Sequence, residues 1–334
     1  MIPLIICCLS AAGISVALIC HMIRIGVMDV PGHRSSHTRP TPKGGGIGIV
    51  VGFLLVFPIS QLWTQGDLPG VSLLLPLLAI ALLALFSWLD DVHSYRASLK
   101  LGVQAIAALM VLTGMAFGSM TVTSFSPLIL ACLLCVGFCW LVYVTNALNF
   151  IDGINGLASG SMAISALVMA WFFDQTGQAG LTHAALILAA CLLAFLPFNF
   201  PQARIFMGDV GSQGAGLALS WFGLEAAVTT PHPLLMPFLL CGILFDVAFT
   251  LGRRAVAGDP LAQAHRSHLY QLAVRAGMSP VLVTLIYWLF VIWGGVVCVQ
   301  PSSLALRLSL LLTPQALWLV LVILRARAAG IGKW

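Results

Sequence analysis

Charged residues are scarce in this sequence, at 7% of its 334 residues, whereas hydrophobic residues make up 60%. A soluble globular domain carries about 25% charged residues. The mean hydropathy of +1.05 excludes a soluble protein, because so much apolar surface must lie in lipid. The longest stretch between apolar segments, near residues 253–279, is too short for a separate soluble domain. We therefore expect one integral membrane domain over residues 1–334.

Patterns of metal ligands or disulfides are also missing. All nine cysteines lie inside apolar segments, without the His or acidic neighbours of a metal site. Cys132, Cys135 and Cys139 share a helix face but have no such neighbour either. We interpret the cysteines as small buried hydrophobic residues. The first apolar segment follows no basic residue, so it lacks the start of a cleavable signal peptide.

Apolar segments long enough to cross a bilayer, which takes about 20 residues, dominate what remains. Eleven candidates lie near residues 3–22, 44–63, 72–89, 101–118, 126–145, 157–173, 182–198, 212–228, 234–252, 280–299 and 304–324. The predicted fold class is all-α: a polytopic integral membrane protein with about 11 transmembrane helices.

The basic residues predict an orientation. With a periplasmic N-terminus, fourteen of the fifteen Lys and Arg residues fall on the inner side, and Arg307 alone falls outside. Cytoplasmic loops carry an excess of Lys and Arg, so we expect a cytoplasmic C-terminus and a bacterial inner-membrane location. The net charge of +5 follows from this topology, and no nucleic-acid partner is expected.

A ladder of polar side chains interrupts the apolar pattern at residues 146–160. It recurs every third residue and comprises Asn146, Asn149, Asp152 and Asn155. Residues at this spacing share about one side of a helix. A carboxylate where two membrane segments meet is costly, and it indicates function.

Carboxylates concentrate on the inner face, at Asp29, Asp90, Asp91, Asp152, Asp209, Asp246 and Asp259. Active-site loops are expected near residues 23–43, 90–100, 146–156, 199–211 and 253–279. A transporter would hold ionisable groups near the membrane midplane, in broken or repeated helices. Clustering at one surface favours an enzyme that joins a soluble charged substrate to a lipid-borne one. The alternative is a transporter or flippase for a nucleotide-sugar or lipid-linked sugar.

Three inner motifs predict phosphate or metal binding. Basic residues before the glycines of 44–48 indicate a phosphate cradle, or those glycines simply allow close helix packing. Asp209, between two glycines, is either a helix N-cap or a ligand of Mg²⁺ or Mn²⁺. His265 and His268 share a helical face, with Arg266 between them, which is typical of a phosphate-binding loop.

Together the motifs resemble the polyprenyl-phosphate N-acetylhexosamine-1-phosphate transferases of glycosyltransferase family 4. The resemblance rests on Asp90-Asp91 and on residues 146–157, 206–212 and 265–271, in the family order. The last motif is most similar to the O-antigen-initiating branch. The resemblance implies transfer of a sugar-1-phosphate from a UDP-N-acetylhexosamine to undecaprenyl phosphate, with release of UMP. This reaction would initiate O-antigen or related surface polysaccharide synthesis.

The resemblance also implies roles for individual residues. Asp209 matches the magnesium ligand, so Mg²⁺, or Mn²⁺ in its place, is the expected cofactor. The expected catalytic residues are Asp90, Asp91, Asp152, His265 and His268. The expected substrate-binding residues are Arg39, Lys43, Asn149, Asn199, Phe206 and Arg266. Whether Arg39 or Lys43 contacts the substrate stays open.

Within these sets, Asp90 is implied to deprotonate or orient the lipid phosphate, while Asn199 and Phe206 are implied to contact uracil. Asn155 stands where the family often has a second Asp, so we give it no acidic role. The expected partners are UDP-N-acetylhexosamine, undecaprenyl phosphate and membrane lipid. A homodimer is compatible with the sequence.

Overall fold

The computed structural model describes residues 2–29, 40–118, 126–260 and 266–332. Its helices are α1 Ile2–Ile25, α2 Gly46–Gln65, α3 Val71–His93, α4 Ala97–Gly118, α5 Pro127–Phe150, α6 Leu157–Gln175, α7 Ala179–Asn199, α8 Gly208–Thr229, α9 Leu235–Leu239, α10 Cys241–Val256, α11 Leu269–Arg275, α12 Pro280–Cys298 and α13 Leu304–Ala328. Two short strands, β1 Met28–Asp29 and β2 Thr41–Pro42, pair in antiparallel register. The predicted all-α class of a polytopic membrane protein is thereby confirmed.

Nine helices in the described ranges are long and apolar enough to cross a membrane: α1–α7, α12 and α13. The other two predicted segments look different. The first turns of α8 contain Gly, Asp, Ser and Gln, and neighbouring helices bury most of its length. The segment near 234–252 is divided into α9 and α10 at Leu240. Eleven crossings therefore remain a prediction.

The central helix of the fold is α8. It packs against α2, α3, α5, α6 and α9. Its large side chains Trp221 and Phe222 are fully buried between the helices. The peripheral helices α1 and α13 each bury only five residues, as expected of helices that face lipid. The small-residue start of α8 allows its neighbours to approach closely.

The glycine run at 44–48 serves close packing. A Cβ added to Gly46 would overlap the backbone of Gly211 in α8. The N–H of Gly45 donates to Phe206 O and that of Gly46 to Met207 O, each at 2.9 Å. Of the two interpretations of this run, close packing is the one the structure shows, because these two N–H groups already have backbone acceptors.

Candidate active site

One cavity of about 510 Å³ opens where several helix ends meet, within the size range of small-molecule sites. Its described lining includes Asp29, Lys43, Asp91, Asn149, Asp152, Asn155, Asn199, Phe206, Asp209 and Gln271. The lining thus combines four carboxylates with a single lysine. A strongly anionic cavity of this kind holds a phosphate-bearing ligand only if cations enter with it.

Asp209 lies in the first turn of α8 and faces the polar ladder of α5. Asn149 Nδ2 donates to Asp209 Oδ1 at 3.1 Å and to Ser212 Oγ at 2.8 Å. Ser212 Oγ in turn donates to Gly208 O at 3.1 Å. Asn149 therefore orients Oδ1 of Asp209 toward α5, whereas Oδ2 of Asp209 makes no hydrogen bond with this amide.

Asp152 follows the end of α5, in a turn that continues to the positive-φ residue Gly156. Burial raises the pKa of the Asp152 carboxyl well above its usual range, and the nearby Asp209 carboxylate raises it further. The neighbouring carboxylates of Asp152 and Asp209 repel each other unless a cation or a proton lies between them. The site therefore favours binding of a cation.

The adjacent carboxylates Asp90 and Asp91 diverge toward two different lysines. Asp91 Oδ1 pairs with Lys43 at 2.9 Å, while Asp90 pairs with Lys100 and accepts the Tyr95 N–H at 2.8 Å. Asp91 lines the cavity, whereas Asp90 is only 6% exposed. Each carboxylate of the pair thus has its own basic partner, which offsets the repulsion between them.

Asn199 joins the two loops that carry the motifs. Its Oδ1 accepts the Gly156 N–H at 2.7 Å, and its Nδ2 donates to Ile205 O at 3.1 Å. Phe206 lies next to the cavity on a backbone bridge with Lys43, where its N–H donates to Pro42 O at 2.8 Å. The asparagine that the resemblance assigns to substrate thus also holds the cavity wall together.

The His-Arg-Ser-His segment is only partly described. His265 and Arg39 lie outside the described residues. Whether Arg39 or Lys43 contacts the substrate therefore stays open. His268 is 2% exposed, is not part of the described lining, and directs Nδ1 to Asp246 Oδ1 at 3.2 Å. Arg266 O accepts from Arg275 Nη1 at 2.9 Å. A phosphate clamp built from this segment stays a prediction.

Sequence reasoning gave no role to three residues that the structure connects to the site. Lys100 pairs with Asp90, Gln271 lines the cavity, and Asp246 is completely buried beneath the start of α11. Asp246 carried a usable signal, because a lone carboxylate inside an apolar helix indicates function. Gln271 belongs to the motif of residues 265–271 but received no role of its own, and the pairing of Lys100 with Asp90 follows only from the tertiary structure.

The donors present fit a magnesium ion. In the described part of the chain, no three His, Cys, Asp or Glu side chains are grouped to hold an ion. Mg²⁺ needs no such cage, because one or two carboxylates, water and substrate phosphates complete its ligands. Asp209 lines the cavity, and Asp91 Oδ2 is a buried oxygen with no hydrogen-bond partner among the described residues.

Sequence comparisons agree with this geometry. A family profile described as glycosyl transferase family 4 matches residues 73–227. A decaprenyl-phosphate N-acetylglucosaminephosphotransferase of Mycobacterium tuberculosis is 31% identical over 316 residues, covering 84% of this chain and 76% of that protein. The chain belongs to glycosyl transferase family 4.

Two more relatives match similar shares of the chain. A probable undecaprenyl-phosphate N-acetylglucosaminyl 1-phosphate transferase of Bacillus subtilis is 28% identical, over 86% of this chain and 81% of that protein. An undecaprenyl-phosphate alpha-N-acetylglucosaminyl 1-phosphate transferase of Yersinia pestis is 28% identical, over 79% of this chain and 74% of that protein. The family predicted from the motifs is confirmed, and the protein is a multi-pass membrane transferase.

Proposed function

We propose that this protein transfers an N-acetylhexosamine-1-phosphate from a UDP-sugar to undecaprenyl phosphate and releases UMP. The observation that carries the proposal is the anionic cavity at the helix ends, where Asp91, Asp152 and Asp209 meet Lys43 and Phe206. N-acetylglucosamine is the proposed sugar, because the names of the relatives above state it.

In the proposed reaction, an oxygen of the lipid phosphate attacks the β-phosphorus of the UDP-sugar. A new P–O bond joins this phosphorus to the lipid phosphate, and its bond to the oxygen that bridges the two phosphates breaks. UMP leaves with that bridging oxygen. Such transfer demands mainly positioning and neutralisation of charge. Phe206 offers a ring for uracil, and Lys43 offers a positive charge to the diphosphate.

Asp209 is the proposed Mg²⁺ ligand, and Asp91 Oδ2, which has no hydrogen-bond partner in the described ranges, is a second oxygen suited to the ion. When bound, the ion supplies positive charge to the diphosphate oxygens. Asp90 already accepts from Lys100 and the Tyr95 backbone. We propose that it mainly positions Lys100 for the lipid phosphate and does not itself remove a proton.

The proposed place of the reaction is the cytoplasmic face of the bacterial inner membrane, and its proposed purpose is to start O-antigen or a related surface polysaccharide. The described basic residues nearest the cavity support this orientation, because Lys43 and Lys100 lie at the helix ends that carry the carboxylates.

UMP release tests the reaction directly. Purified protein receives undecaprenyl phosphate, Mg²⁺ and, in separate reactions, the UDP derivatives of N-acetylglucosamine, N-acetylgalactosamine, N-acetylfucosamine and N-acetylquinovosamine. We expect lipid-dependent UMP release, fastest with UDP-N-acetylglucosamine, and none from Asp209→Asn protein. Protein that moves a labelled substrate across vesicles but releases no UMP would instead be a transporter.

A further inference from the structure

Asp246 is a completely buried carboxylate that the proposed reaction does not use. It lies in α10, and its side chain is 0% exposed. Burying a carboxylate costs much free energy unless its oxygens are hydrogen-bonded. The hydrogen bonds that Asp246 accepts are therefore needed to keep it buried.

Five donors surround this carboxylate. Its Oδ1 accepts from Leu269 N at 2.8 Å, His268 Nδ1 at 3.2 Å and Thr250 Oγ1 at 3.2 Å, and its Oδ2 accepts from Tyr287 Oη at 2.5 Å and Tyr270 N at 3.1 Å. These donors come from α10, α11, α12 and the residue that precedes α11. Asp246 thus joins three separate elements at one point.

Two of these donors are the first backbone N–H groups of α11, which have no acceptor within the helix. A helix of seven residues is not stable on its own. His268 and Gln271 form a capping box at the start of α11, in which the His268 N–H donates to Gln271 Oε1 at 3.3 Å, and the ring Nδ1 of His268 is directed to Asp246. Besides this capping box, the carboxylate of another helix accepts the first N–H groups of α11 and ties its start to α10.

The position of α11 affects the cavity in two ways. Gln271 and Val274, one turn apart on α11, line the cavity. Tyr270 donates its hydroxyl to Phe150 O at 2.9 Å, and a Cβ added to Gly153 would collide with that hydroxyl. Tyr270 thereby supports the turn that carries Asp152.

We infer that Asp246 is a positioning residue for sugar-phosphate transfer: it fixes the start of α11, and through Tyr270 it holds the turn that bears Asp152. Asp246 itself lies outside the described cavity lining. This inference rests on the proposed function, but its structural half is tested without any turnover.

Asp246→Asn is the main test, because the amide keeps the size of the carboxylate but replaces one acceptor oxygen with a donor. We expect hydrogen exchange of the amides of α11 to become faster, whereas exchange in α6 stays unchanged. Misplacing a reacting group by about 1 Å costs on the order of 10²-fold in rate. We therefore expect kcat for UMP release to fall by about that factor, and by more than KM for the UDP-sugar rises.

A double-mutant cycle tests the route through Tyr270. Tyr270→Phe removes the hydroxyl that binds Phe150 O, and we expect a smaller loss of kcat. If Asp246 acts through this contact, the double variant loses no more than Asp246→Asn alone, because the contact is already broken. Multiplied losses in the double variant would overturn the inference.

Glu225→Gln is the matched control. Glu225 is a carboxylate of α8 that accepts from Trp221 Nε1 at 2.9 Å, near the other end of that helix from Asp209. We expect this variant to keep normal kcat and normal exchange in α11. If Asp246→Asn does not fold, Tyr287→Phe removes one donor and should show the same two effects more weakly.

The outcomes separate the two proposals. No UMP release by the unaltered protein would refute the proposed function, and the exchange experiment would still decide whether Asp246 holds α11. Active Asp246→Asn protein with unchanged exchange in α11 would overturn the inference alone.

Discussion

At the scale of single residues, the site divides into groups that face the cavity and groups that hold those in place. Asp209, Asp152 and Asp91 line the cavity, while Asn149 donates to Asp209 from the neighbouring helix. The polar ladder of α5 therefore has two tasks. Its carboxylate Asp152 contributes charge, and its amide Asn149 orients the carboxylate of another helix.

The first prediction separates metal binding from nucleotide binding. Asp209→Asn should abolish UMP release at every accessible Mg²⁺ concentration, because the amide is a poor ligand for a hard cation. Phe206→Ala should mainly raise the UDP-sugar KM, by about 5- to 150-fold, since a stacked base contributes about 1–3 kcal/mol before as well as during reaction. Steady-state kinetics across Mg²⁺ concentrations measures both. Equal losses of kcat from the two changes, with KM constant, would contradict the assignment.

A second prediction follows from the raised pKa of Asp152. Burial, and then the Asp209 carboxylate, raise this pKa, so the folded protein binds the proton more tightly than the unfolded chain. Stability linked to Asp152 is thus present at low pH and is lost as the pH rises through the folded pKa. Asp152→Asn should then raise the melting temperature at about pH 8, and the gain should disappear near about pH 4, where the carboxyl is largely protonated.

Thermal denaturation in detergent, without Mg²⁺ or substrate, measures this effect. The same variant should lose UMP release, so stability and activity change in opposite directions. Asp174→Asn is a suitable control, because Asp174 is exposed at the end of α6 and its removal should leave the melting temperature unchanged at both pH values. A gain for Asp152→Asn that was equal at both pH values would contradict the electrostatic cause.

At the scale of elements, the crossing of α2 and α8 determines where Lys43 and Asp209 lie. Lys43 directly precedes the glycine run, and Asp209 lies two residues before Gly211. Backbone hydrogen bonds from Gly45 and Gly46 to residues 206–207 join the two helix starts. Small residues at this crossing let the lysine and the carboxylate approach the same cavity.

The third prediction tests this crossing. Gly46→Ala and Gly211→Ala should each destabilise the protein by about 1–3 kcal/mol, because the added methyl group meets backbone that cannot move aside. UMP release should fall as well, since the helix starts must separate. Gly102→Ala is the control: this helical glycine has nothing within 4 Å of an added Cβ, so the change should be neutral or stabilising. Comparable melting temperatures for all three variants would show that the contact is unimportant.

At the scale of the whole molecule, the helices bring their charged ends to one side. The described lining of the cavity includes residues from the ends of α3, α5 and α7, from the starts of α8 and α12, and from α11. Helices that cross a membrane in alternating directions bring the ends of some and the starts of others to the same side. A soluble nucleotide-sugar and a lipid phosphate in the bilayer would both have access to such a position.

The fourth prediction concerns the orientation of the chain. A reporter fused after Trp334 should be active only if the reporter works in the cytoplasm, and one fused before Met1 only if it works in the periplasm, because fourteen of the fifteen basic residues fall on one side. Both termini lie outside the described residues. A C-terminal reporter that is active only in the periplasm would show that the number of crossings is wrong by an odd number.

The sequence by itself determined the fold class and the family. Apolar segments of bilayer length leave helices as the solution for a chain of this kind, because no water in lipid can satisfy free backbone groups. The motifs of residues 146–157 and 206–212 identified the family, since unusual polar residues inside apolar segments are informative. The resemblance also predicted Asn149, Asp152, Asn199, Phe206 and Asp209, which the structure places around one cavity.

Only the tertiary structure decided the pairings and the roles that depend on them. Nothing local to Asp90 or Asp91 indicates that one pairs with Lys100 and the other with Lys43. The sequence left open whether the glycine run binds phosphate or allows close helix packing, and the contact of Gly46 with Gly211 shows close packing. Asp246 was visible as a lone buried acid, but its five donors come together only after α10, α11 and α12 have packed. The type of a side chain determines which chemistry it can perform, whereas its partners depend on contacts between segments far apart in the chain.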